Sequence, residues 1–516
     1  MTREKFQDHI NQGYTFKKDS IVLGGAMFDG ECVPNTHVKI PLKTINRHGL
    51  IAGATGTGKT KTLQVFAEQL SLKGIPSLLM DLKGDLSGLA AAGESNEHIV
   101  WRHISIGDTP YEPQPLPVEL LTLSDEKGVR LRATVSEFGP VLISKILDLN
   151  NTQSGIIALV FKYCDDNSYP LLNLDDLKAT IQYLANEGKE EIEREYGAIS
   201  SASVATIIRK IIELEQQGAE RFFGEKSFDV ADLVRRDREG RGVQSIIRLT
   251  DIQDKPKLFS TFMLSLLAEI YSTFPEQGDS DEPKLVLFID EAHLVFKEAS
   301  KALLEQIEAI VKLIRSKGVG IYFCTQDPTD IPEEVLGQLG LKIQHALRAF
   351  TAKDRKAISK TVENYPISAF YNTEELITSL GIGEALVTCL NEKGIPTPLA
   401  ATLLRAPITR MDVLTSSEID DVVNQSDLVD KYNKEIDRES AEEILKEKIE
   451  AAQKEAHQEE IQKQKEEASK VVRRKESEEP SFVEEMSKNT MVRQLGRTVV
   501  RELTRGLLGV LGIKKR

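Results

Sequence analysis

Residues 49–60 read Gly49-Leu50-Ile51-Ala52-Gly53-Ala54-Thr55-Gly56-Thr57-Gly58-Lys59-Thr60, and this stretch decides the fold. A short apolar strand, Gly49–Ala52, runs into a loop that fits G-x-x-x-x-G-K-[ST] without exception. Leu63, Phe66, Ala67 and Leu70 then recur at helical spacing. Glycines let the backbone turn its amides inward, and the N-terminus of the following helix adds partial positive charge. Such a loop is built to hold phosphate. In this pattern Lys59 bridges the β- and γ-phosphates of ATP and Thr60 ligates Mg2+. Gly53, Ala54, Thr55, Gly56, Thr57, Gly58, Lys59, Thr60 and Lys61 are therefore the candidate nucleotide-binding residues. A glycine turn alone could show the same letters, but strand before and helix after are the context the chemistry requires.

Working outward, Gly74 and Pro76 end the helix, and Ile75–Met80 is the next apolar run, closing on Asp81. Strand, helix, strand predicts a parallel sheet covered on both faces. The β pattern resumes at Gly242–Leu249, Lys284–Asp290, Gly320–Gln326, Lys342–Leu347 and Glu384–Leu390, with helices expected at Phe259–Tyr271 and Ala302–Lys317. In Leu285-Val286-Leu287-Phe288-Ile289-Asp290-Glu291, a buried strand ends on two carboxylates. Asp290 at the tip suits Mg2+, and Glu291 suits the base that polarises an attacking water. Asp290 to His293 spell DEAH, but the companion motifs of the DEAH helicases are not evident, so His293 reads as a helix-face residue. Gln326, ending Ile321-Tyr322-Phe323-Cys324-Thr325-Gln326, stands where a polar side chain can feel a γ-phosphate.

Charge and composition divide the rest. Residues 1–45 read as a short β segment, 46–111 as the first part of the nucleotide-binding core, and 112–240 as a helical insertion that opens on the proline-rich Pro110–Pro117. Residues 241–410 read as the second part of the core and 411–433 as a linker. Residues 434–480 hold 11 Lys or Arg and 15 Asp or Glu, too charged for a core, so they read as a solvated helix, a coiled coil or a disordered segment. Residues 487–516 place Arg493, Arg497, Arg501 and Arg505 in one stripe beside Val492, Leu495, Val499, Leu503 and Leu507, a basic amphipathic helix. The net charge of −14 excludes an all-over basic surface but not a basic channel. Four scattered cysteines fit a reducing compartment, no run is long enough for a transmembrane helix, and no signal segment begins the chain, so a cytoplasmic protein is expected.

Several long blocks in order, NRHGLIAGATGTGKT, LLMDLKGDLSG, LFIDEAHLVF, LIRSKGVGIYFCTQDPTDIP, LGLKIQHALRAFTAKD and GIGEALVTCL, resemble the HerA–FtsK group of P-loop ATPases, and within it the bacterial HerA-like helicases. The resemblance runs from about residue 20 to the C-terminus. It implies an α/β fold with a RecA-like core, a homohexameric ring with ATP at subunit boundaries, and transport of double-stranded DNA through the channel. It also implies roles for Arg47 as an arginine acting in its own subunit, for Asp81 as an acid near the metal, and for Arg315 as a finger into the neighbouring site. Arg348, Lys353 and Arg355 are candidate channel or interface residues. Translocating HerA proteins carry a sizeable N-terminal β-barrel, whereas here residues 1–45 precede the core. The acidic charge and polar tail suit a different function, a nucleotide-gated scaffold that remodels protein partners, and the basic tail suits a membrane surface.

Overall fold

The computed structural model describes residues 2–476, apart from 108–109, 279, 298–300, 350, 435 and 437. The strands are β1 Ser20–Phe28, β2 Glu31–Pro41, β3 Gly49–Ala52, β4 Ser77–Asp81, β5 Val118–Thr122, β6 Val129–Arg130, β7 Gln244–Arg248, β8 Leu285–Ile289, β9 Val319–Thr325, β10 Leu341–Gln344, β11 Glu384–Thr388 and β12 Ala400–Leu404. They form one sheet in the order β2-β1-β12-β11-β10-β3-β9-β8-β4-β7-β5-β6. From β10 to β6 every pairing is parallel. From β2 to β10 every pairing is antiparallel. The parallel strands are apolar along their whole length because both faces are covered; β8 and β9 are buried at every position.

Eleven helices are named here. They are α1 Arg3–Gly13, α2 Lys59–Leu72, α3 Glu97–Ile106, α4 Val135–Ile146, α5 Asn151–Asn167, α6 Leu174–Ala185, α7 Lys189–Glu195, α8 Ser201–Gln216, α9 Pro256–Thr273, α10 His293–Lys297 and α11 Lys301–Ile314. The N-terminal segment is not β alone: α1 precedes its two strands, anchored by buried Phe6 and Ile10. With two apolar residues in eleven, its helical period is too sparse to stand out in sequence. The stretch 112–240 opens on β5 and β6, which extend the parallel sheet beyond β7, before the helices α4 to α8 begin. β12 lies just past Pro396 and Pro398 and completes the antiparallel part.

α2 is held on the sheet by an aromatic cluster. The Phe66 ring meets Tyr322 of β9 at 4.8 Å and Phe288 of β8 at 5.4 Å, both edge-on. The chain's compact first unit ends at Leu445. Of the second, 446–516, the described part continues the helix Ala441–Glu476, exposed along 451–467 as its charge requires. The basic stripe predicted over 487–516 lies outside the described residues. No described helix is long and apolar enough to cross a membrane.

Candidate functional site

In a parallel sheet, ligands collect at the carboxyl ends of the strands. Here β3, β4, β8 and β9 end in the phosphate loop, Asp81, Asp290 and Gln326, so the topology gathers motifs that are far apart in sequence. The loop is fixed at both ends. Gly53 N–H donates to Thr325 O at 3.3 Å, Ala54 N–H to Ala346 O at 2.9 Å, and Gly383 N–H to Thr57 O at 3.1 Å. Two glycines are obligatory for local reasons. Gly58 starts α2 with φ +106°, and a Cβ on Gly53 would stand 2.5 Å from His345 Cβ. Lys59 Nζ donates to Gly53 O at 2.7 Å and Ala54 O at 3.1 Å, arched over the loop. Burial, and secondarily the charge of Lys83, lower its pKa. Thr60 sits in the first turn of α2. The Lys61 ammonium turns away, to Met411 O and to Gln64 Oε1 at 3.2 Å, which leaves its backbone amide for a phosphate.

The acidic pair sits opposite. Asp290 is 4% exposed, and burial pushes its carboxyl up to about 7. Among the described residues its Oδ2 has no hydrogen-bond partner. An orphaned buried carboxylate oxygen facing a phosphate loop fits Mg2+, a hard cation that takes few protein ligands and completes its shell from phosphates and water.

Glu291 follows with φ +46°, a left-handed conformation that costs a non-glycine residue and turns the chain sharply after Asp290. Burial pushes its carboxyl up, but its ion pair with Lys83 and the Gln326 amide outweigh this and hold it below the usual range. Gln326 joins the parts. Its Nε2 donates to both Glu291 oxygens at 3.4 Å, and its Oε1 accepts from Thr55 Oγ1 at 3.0 Å. His293 opens α10 and turns its Nδ1 to Glu291 Oε2 at 3.3 Å, so it faces the acid and not only its helix.

Two expectations change. Asp81 accepts amide bonds from Gly84 at 2.7 Å and from Asp85 and Leu86 at 3.1 Å. Its carboxylate shapes the loop after β4 and is not free beside a metal. That loop presents Lys83, a site residue that sequence reading missed because a lysine between glycine and leucine carries no pattern of its own.

Arg47 precedes β3 at its amino end, against the Asn391–Gly394 turn, with its carbonyl accepting from Gly340 N–H at 2.9 Å. At about 3.3 Å per residue the strand separates it from Gly53 by roughly 20 Å, so the structure does not bring it to its own phosphate loop. Arg315 is exposed after α11 on the same edge, where its charge is felt by buried His48. It too is remote from its own phosphate loop. Arg348, Lys353 and Arg355 lie exposed between β10 and the end of the helix Ala352–Val362, and Arg348 donates to Thr378 O at 3.1 Å.

Residues 29–516 match the family described as Helicase HerA-like C-terminal. This chain belongs to that family. Similar HerA relatives are the DNA double-strand break repair helicase HerA of Sulfolobus acidocaldarius, 21% identical over 369 residues, and that of Saccharolobus solfataricus, 21% identical over 356. Each alignment takes in 68% of this chain and 64% of the relative, so this HerA-family chain spans under two thirds of those proteins' length. Among solved structures, the bacterial conjugative coupling protein TrwB is similar at TM-score 0.52 and 14% identity, over 79% of this chain and 94% of that one. TrwB with ADP and Mg2+ is similar at TM-score 0.51 and 14% identity, over 80% and 95%. The shared fold is that of a RecA-like P-loop NTPase, so the α/β core that the resemblance implied is the one the chain adopts.

Proposed function

We propose that this chain is an ATP-hydrolysing ring motor of the cytoplasm that moves along or remodels double-stranded DNA. The observation that carries the reading is the hydrogen-bonded path Thr55–Gln326–Glu291, which ties the phosphate loop to the base at the place where the last phosphate of ATP belongs. Lys59 and the loop amides hold the triphosphate. Thr60 and Asp290 would hold Mg2+, which supplies charge neutralisation on the phosphate oxygens. Glu291 orients and deprotonates the attacking water, and Gln326 relays loss of the phosphate to the loop. Arg315, exposed ahead of β9 at the end of the sheet opposite the phosphate loop, completes a neighbour's site in a closed homohexameric ring. The likeness to HerA repair helicases supports duplex DNA as the track.

Purified protein should hydrolyse ATP with Mg2+. Its rate should rise severalfold with duplex DNA, and the stimulation should fade as salt screens phosphate contacts. Lys59→Ala should lose nucleotide binding and turnover together. Absence of stimulation by any nucleic acid at low salt removes the DNA reading while leaving the ATPase standing.

A further inference from the structure

We infer that Lys83 is a second triphosphate-reading cation, one that pairs with Glu291 and is drawn to the γ-phosphate when ATP binds, freeing the base. This inference rests on the ATPase reading above. Three observations meet at this side chain. Lys83 Nζ forms an ion pair with Glu291 Oε1. The partners differ in access: the Lys83 side chain is 42% exposed and that of Glu291 9%, so Lys83 is the partner that can move into the cleft. Finally, the charge of Lys83 is felt by Lys59, which arches over the phosphate loop, and both lysines feel Asp290 and Glu291, so Lys83 belongs to the same charged neighbourhood as the loop lysine.

The supporting loop is rigid. Asp81, 1% exposed, accepts three successive backbone amides from Gly84, Asp85 and Leu86, and Gly84 turns with φ +78°. The backbone of Lys83 is therefore held while its four-carbon stem is free to swing. A lysine suits that task better than an arginine, because it is a compact charge with rotatable donors and needs no matched fork.

The positive charge of Lys83 is felt by Lys59, and the Glu291 carboxylate paired with Lys83 offsets only part of it. A triphosphate brought to the loop supplies the missing negative charge and competes with Glu291 for Lys83. The carboxylate that loses its lysine keeps Gln326 and His293 as neighbours and becomes available to a water. ADP lacks the phosphate that Lys83 would meet, so the device distinguishes substrate from product at the general base.

Equilibrium binding of ATP, of a non-hydrolysable ATP analogue and of ADP, each with Mg2+, tests this on the full-length chain and on Lys83→Ala, Lys83→Arg and Lys83→Met. Loss of one charged hydrogen bond predicts an affinity for the ATP analogue roughly 10-fold or more weaker in Lys83→Ala and Lys83→Met, with ADP affinity within about 2-fold of the parent. Lys83→Arg should recover part of the ATP preference. Glu291→Gln, which releases Lys83, should bind the analogue more tightly than the parent. If the Lys83 variants weaken ATP and ADP equally, or neither, the lysine is a structural partner of Glu291 and the inference is overturned. If the parent itself holds neither nucleotide, the ATPase reading fails instead.

Discussion

At the scale of single residues, the site is a contest among few charges in a dry space. Asp290 and Glu291 are neighbours in sequence yet differ in environment. One is buried with an oxygen left over; the other is held charged by a lysine and an amide. That division matches a metal ligand beside a base. Glu291→Gln keeps the shape and removes the proton acceptor, so it should bind ATP and release product at a rate reduced by about 10²–10⁴, read as slow single-turnover hydrolysis.

His48 makes a different point about buried charge. Its Nε2–H donates to Val311 O at 2.9 Å, while Nδ1 accepts from Ile321 N–H at 3.0 Å. The ring is neutral, and burial lowers its pKa to about 4. Because the folded pKa lies below the unfolded value of about 6.5, the unfolded chain binds the extra proton first. Stability from this ring is full above pH 6.5 and is lost as pH falls toward 4, by about 3 kcal/mol. Denaturant melts at pH 7 and pH 4 should show the stability difference between the parent and His48→Gln shrinking by that order.

At the scale of elements, α2 does two jobs, and the sequence showed only one. Its N-terminus carries the phosphate loop. Its flank grips the segment after β12: Glu68 accepts from Ile408 N–H at 3.0 Å and Thr409 N–H at 2.9 Å, and Gln64 Nε2 donates to Arg410 O at 2.8 Å. The underside is the Phe66 cluster, and Phe66→Ala should cost roughly 3–5 kcal/mol by opening a cavity between α2 and the sheet, measured as a lower denaturant midpoint.

The loop, the β8 carboxylates and the β9 glutamine were legible because each is a local string at a strand end. The contacts among them follow from the parallel order β3-β9-β8-β4, which the βαβ pattern implied without giving. Lys83, α1 and the Glu68 grip were not legible, since each depends on a partner brought close only by folding. The role that the resemblance implies for Arg47 is not legible in one chain, because an extended strand lies between it and the loop.

At the scale of the whole molecule, the finger role proposed for Arg315 would make the catalytic unit larger than one chain. Arg315→Ala should lose most turnover while retaining ATP binding. Mixing it with Lys59→Ala subunits, whose loops are dead and whose arginines are intact, should restore activity toward the fraction of mixed interfaces. Native mass measurement with ATP and duplex DNA should show a closed ring, and a monomer under all conditions would rule that arrangement out.

The place of Arg315 at the amino end of β9, away from the phosphate loop, also has a kinetic meaning. With an arginine lent across subunits, as proposed, total activity is not proportional to concentration. Dilution should lower it more steeply than concentration itself falls, and slow recovery on reconcentration would time the reassociation of the chains.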